Sequence, residues 1–98
     1  MTKLKEQPKQ KTLDITNIQE AKTKISDIQV YGNGDLFQLI SKASSKQQGW
    51  MKSTKAMQTP HGCVVQVTTQ QGDSIAEALT YVPDVTIKED ENGNKYLG

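Results

Sequence analysis

The stretch CVVQVTTQQGDSIAEALTYV, residues 63–82, decides the fold class. Its first half carries Val64, Val65, Val67, Thr68 and Thr69, β-branched side chains that pack well on an extended, pleated backbone. Gly72-Asp73 is a short turn, after which Ser74 to Val82 runs on to Pro83. Ala76, Glu77, Ala78 and Leu79 are good helix formers, but the short turn and the Thr80-Tyr81-Val82 ending favour a strand. The two halves therefore read as a β-hairpin.

Just upstream, Trp50 to Gln58 alternates with a period of two and reads as another strand, with Pro60-His61-Gly62 turning the chain between them. Downstream the hairpin logic repeats: Val85-Thr86-Ile87 alternates, Asn92-Gly93 is a strong turn signal, and Lys95-Tyr96-Leu97 returns. Nearer the N-terminus the period changes. Leu36, Leu39, Ile40 and Ala43, widened by Phe37, form a helical face that starts at Asp35 and stops at Gly49. Gly32-Asn33-Gly34 is a turn before it. Ile18, Ala21, Ile25 and Ile28 mark an earlier helix from about Asn17 to Gln29, with Asn17 and Glu20 spaced as a capping box. Residues 1–12, MTKLKEQPKQKT, hold four Lys and Pro8 among polar side chains and read as a flexible basic arm. The expected architecture is α+β: two short helices, then an antiparallel β-meander that the helices cover on one face. Residues 13–98 form its single small domain.

Composition bounds the function. A chain of 98 residues holds one domain. With 34% hydrophobic residues and a mean hydropathy of −0.67, the core must be thin. The net charge of +1 comes from 12 basic and 11 acidic side chains, which gives little pull toward nucleic acid or an anionic membrane. Every basic residue is Lys. Arg, the usual reader of guanine and of paired phosphate oxygens, is absent. Cys63 is the sole cysteine, so no internal disulfide forms and a reducing compartment fits. The sequence shows neither the apolar stretch of a signal peptide nor one of membrane-spanning length, and a cytoplasmic location is expected.

No pattern of catalytic residues emerges. Glu89, Asp90 and Glu91 sit beside the Asn92-Gly93 turn, where acids form a solvated cap. Asp90, Asn92 and Asn94 alternate like the start of a calcium loop, but the distal bidentate Glu is missing. His61 and Cys63 are close enough for a base and a nucleophile, yet a turn His followed by a small core Cys is the commoner arrangement. No further Cys or His is available to complete a metal site. Gly32-Asn33-Gly34 lacks the glycine spacing of a dinucleotide site and the Gly-Lys-Ser/Thr of a phosphate loop. The expectation is a protein that is not an enzyme and that needs no cofactor and no metal.

Trp50, Lys52, Thr54 and Lys55 make the candidate interaction surface. Strand periodicity places Trp50, Lys52 and Thr54 on one face, and Met51, Ser53 and Lys55 on the other. An aromatic beside Lys on a sheet face is the ingredient of a single-strand nucleic-acid platform, but such platforms stack bases on several aromatics. A lone Trp in a small domain is more often a core anchor.

The segment Gly49–Val82 resembles small uncharacterised proteins encoded by tailed bacteriophages, through GWMKSTKAM, CVVQVTTQQ and AEALTYVP. The resemblance covers about a third of the chain and transfers no active site. It implies a phage gene product that acts in the host cytoplasm or is built into the virion. The functional expectation is a non-enzymatic interaction protein, a phage-encoded accessory protein that binds a host or phage target. A protein partner or self-association is expected, nucleic acid and membrane are not. Two alternatives stay open: a structural subunit of a virion or other assembly, and a weak single-stranded nucleic-acid binder.

Overall fold

Tight turns set the sheet. The computed structural model describes residues 17–98, and the arm of residues 1–12 lies outside the described residues. Four strands pair antiparallel in chain order: β1 (Gln38–Ser45), β2 (Trp50–Thr59), β3 (Gly62–Gln71) and β4 (Ser74–Pro83). Pro60-His61 joins Thr59 to Gly62, and Gly72-Asp73 joins Gln71 to Ser74. Gly72 adopts φ 57°, the left-handed geometry that a primed hairpin turn demands at its first central position. Its N–H donates to the Gly49 carbonyl at 2.8 Å, so the turns at this end of the sheet brace each other.

The segment expected to form the second helix, Asp35 to Gly49, is strand β1 and its turn. Three physical features explain the difference. A bulge between Leu39 and Ser41 inserts Ile40, so two consecutive apolar residues are both half-buried, as on a helix. The chain then leaves β1 through one helix-like turn: the Gly49 N–H reaches back to the Ser45 carbonyl at 2.8 Å, and Ser45 Oγ accepts from the Gln48 N–H at 3.0 Å. Finally, Ser41, Ser44 and Ser45 are poor interior helix residues, and pairing with β2 outweighs the helical spacing of their neighbours.

One helix is present among the described residues, α1 (Ile18–Lys24), shorter than the span expected to Gln29. Asn17 caps it as expected, its side chain accepting from the Glu20 N–H at 2.7 Å. Glu20 and Lys24 pair one turn apart at 3.1 Å. Ile25 is already extended, and Ser26 and Asp27 follow with side chains that compete for the backbone. The chain then folds back on α1. A Cβ at Gly34, where φ is 81°, would lie 3.0 Å from Ile18 and 3.1 Å from Val30. The fold is thus α+β in the broad sense, a four-stranded meander with one short helix.

The sheet is covered on its back face by a second hairpin rather than by helices. This is β5 (Ile87–Glu89) paired with β6 (Lys95–Leu97). Ala56, Cys63 and Val65 are the buried centre, and Ile40, Val82, Val85, Ile87 and Leu97 pack around them. Gln58 fastens the hairpin to the sheet. Its Oε1 accepts from the Ile87 N–H at 2.8 Å, and its Nε2 donates to the carbonyls of Thr59 (2.9 Å) and Gly62 (3.1 Å). Gly62 is required there, because an added Cβ would run into the Val82 carbonyl and come within 2.7 Å of the Tyr81 hydroxyl.

Candidate functional site

Cross-strand register assigns every sheet residue to a face. The back face carries Trp50, Lys52, Thr54, Ala56 and Gln58 of β2, opposite Gln71, Thr69, Val67, Val65 and Cys63 of β3. The β5–β6 hairpin closes only the Cys63 end of this face. Toward the Gly49 and Gly72 turns the face is open: Lys52, Thr69, Ala76 and Ala78 are exposed, and Val67 is 43% exposed.

Trp50, Lys52 and Thr54 fall in one row here, as the period-two alternation requires. Trp50 lies opposite Gln71 and Ser45, Lys52 opposite Thr69 and Ala43, and Thr54 opposite Val67 and Ser41. Trp50 and Thr54 are half-buried and Lys52 is exposed. Lys55 is on the front face, with its Nζ 3.7 Å from Asp35 Oδ2. Three of the four candidate residues therefore share a surface, and the fourth does not. Trp50 is the one aromatic side chain that register places on the back face among the described strands of this sheet, so successive bases would have no second ring to stack on.

Of the residues weighed for chemistry, Cys63 and Asp90 are held by the fold, and His61 is bonded through its backbone. Cys63 is fully buried, its Sγ 3.7 Å from both Gln58 Oε1 and the Val85 carbonyl. His61 is an exposed turn residue whose carbonyl accepts from the Asp84 N–H at 2.9 Å. Asp90 Oδ1 accepts from the N–H groups of Asn92 and Asn94, both at 2.9 Å, which shapes the β5–β6 turn. The bond from Asn94 is the main cause that holds the Asp90 carboxyl below its ordinary pKa, with the Asn92 and Gly93 N–H groups adding to it. Among the described residues no cluster of His, Cys, Asp and Glu is placed to hold a metal ion. No described helix is long and apolar enough to cross a membrane. A wide, open groove of about 1010 Å³ runs beside β1, between Ile18, Phe37, Lys42 and Lys95. Among the described residues, its lining carries the acidic Asp35 together with Lys42 and Lys95, and no His or Cys.

The feature with the clearest consequence is one that sequence reasoning missed. β4 is the border strand of the sheet and is exposed along its ten residues, Val82 alone being half-buried. On its front face stand Ile75 (54% exposed), Leu79 (60%) and Tyr81 (50%). Their neighbours on β3 are Gln70, Gln66 and Val64. Natural border strands are blunted by Lys, by Pro, by bulges or by a cover. The other border, β1, has such devices: the bulge at Ile40, Lys42 on the strand, and β6 beside it. β4 has no Lys and no bulge, and its Pro is its last residue, Pro83.

No curated protein and no solved structure matches the chain. A family model does, that of the Lockin family, over residues 8–97. That span takes in the described helix and strands, the β4 border included, and the chain belongs to the Lockin family.

Proposed function

We propose that this Lockin-family protein is a non-enzymatic interaction protein, a phage-encoded accessory protein that works in the host cytoplasm through the β4 border of its sheet. One observation carries the proposal: a ten-residue border strand that has no cover among the described residues, with three large apolar side chains open to water. Such a strand offers unpaired N–H and C=O groups to a partner's backbone, while Ile75, Leu79 and Tyr81 supply apolar contact. The reading gains support from the candidate catalytic groups, since Cys63 is sealed in the core and Asp90 is tied into a turn. A lone buried thiol suits a reducing compartment.

A photo-crosslinking amino acid placed at Leu79 tests it in cells that make the protein. Irradiation is expected to yield a covalent protein adduct, and the same probe at the exposed Asn92 is expected to yield none. Absence of any adduct from position 79 overturns the proposal.

A further inference from the structure

We propose that the occupant of the β4 border is β4 of a second copy of this chain, the two strands running antiparallel about a two-fold axis through Ala78. This rests on the reading of β4 as the working surface and names its partner.

Hairpin geometry determines which groups are on offer. A two-residue turn makes Gln71 and Ser74 the first hydrogen-bonded pair, so alternate residues from Ser74 onward spend their peptide groups on β3. Ile75, Glu77, Leu79 and Tyr81 then aim N–H and C=O outward. A two-fold axis perpendicular to the sheet keeps equal faces together, and outward residues must meet outward residues. Centring the axis on Glu77 sets two carboxylates directly opposite each other. Centring it on Leu79 sets Ile75 against Pro83, which has no N–H. Only the axis at Ala78 engages all four outward residues and leaves Pro83 outside.

In that register Ile75 faces Tyr81 of the second copy, and Glu77 faces Leu79. Four hydrogen-bonded pairs make about eight backbone bonds, against roughly ten direct bonds in a specific protein interface. On the back face Ala78 meets Ala78 and Ala76 meets Thr80, small side chains at the closely spaced positions of the ladder. Thr68 Oγ1 donates to Glu77 Oε2 at 3.3 Å, drawing that carboxylate toward β3 and away from the junction. A net charge of +1 opposes the approach of two copies only weakly. The product is one continuous sheet of twice the width. Both rows of Trp50, Lys52 and Thr54 lie on the same side of it.

Two experiments on the full chain test the pairing. Sedimentation across a micromolar concentration series is expected to show a species of twice the 10.9 kDa chain mass, lost in Leu79→Lys. Mild oxidation of cysteine variants reads the register independently, because Cys63 is buried and wild type serves as the blank. Ala78→Cys is expected to form a disulfide-linked dimer. Ala76→Cys and Thr80→Cys are expected to stay free of disulfide crosslinks alone and to crosslink when mixed. A wild-type chain that stays monomeric throughout, or Ala76→Cys crosslinking to itself as readily as Ala78→Cys, overturns the proposal. A monomer whose position 79 still photocrosslinks to a different protein overturns the second copy and leaves the interaction reading standing; a monomer with no adduct removes both.

Discussion

Gln58→Ala should loosen the β5–β6 hairpin from the sheet. The side chain makes three bonds of ordinary length: Oε1 to the Ile87 N–H at 2.8 Å, and Nε2 to the Thr59 and Gly62 carbonyls at 2.9 and 3.1 Å. A neutral hydrogen bond contributes about 0.5–1.5 kcal/mol net. Gln58 is exposed, so water replaces part of what is lost, and the total should lie near 1–2 kcal/mol rather than at the sum of three full bonds. For a domain of this size about 1 kcal/mol moves the midpoint by roughly 4–8 °C. Thermal denaturation should therefore show a fall of about 5–15 °C. Hydrogen exchange should place the early opening in Ile87–Leu97, because Ile87 and Leu97 of that hairpin pack against the core of Ala56, Cys63 and Val65. Gln58→Glu sharpens the test. It keeps an acceptor for Ile87 but turns a donor into a charged acceptor facing two carbonyls, so at neutral pH it should be less stable than Gln58→Ala. A wild-type midpoint in Gln58→Ala, or Gln58→Glu at least as stable as it, would refute the clasp.

Gly62→Ala should destabilise by about 1–3 kcal/mol in urea unfolding, since the new methyl overlaps the Val82 carbonyl and crowds Tyr81; an unchanged midpoint would show that β4 yields freely. Asp84 holds φ 63°, which Asp tolerates and a β-branched residue does not. Asp84→Val should therefore cost about 1–2 kcal/mol, and Asp84→Gly should be close to neutral by calorimetry. The lowered pKa of Asp90 means that its ionised form favours the folded turn. That contribution is present above the unfolded pKa and disappears as pH falls through the lower folded value. The Asn92 and Asn94 amide resonances should accordingly shift together in an acid titration below about pH 3.8, and a midpoint at or above the ordinary Asp value would contradict the bonding seen at the turn.

Where bonding partners are near in sequence, the chain announced its structure. Residues 63–82 formed the expected hairpin because β-branched side chains and a Gly72 turn act locally. Asn17 capped α1 for the same reason, and Asn92-Gly93 turned β5 into β6. The alternation of Trp50, Lys52, Thr54 and Lys55 between faces was likewise legible, since it follows from the strand period alone. The helix expected over residues 35–49 failed where the deciding partner was distant. Pairing with β2 and a one-residue bulge at Ile40 overrode a helical spacing that was real but could be buried in another way. The fate of β4 was equally hidden. Whether a strand lies inside a sheet or on its border depends on what comes to its far side, and nothing within SIAEALTYVP states that. Local physics chose the hairpin strands and their turns; only the tertiary arrangement made residues 38–45 a strand and left β1 and β4 on the borders of the sheet.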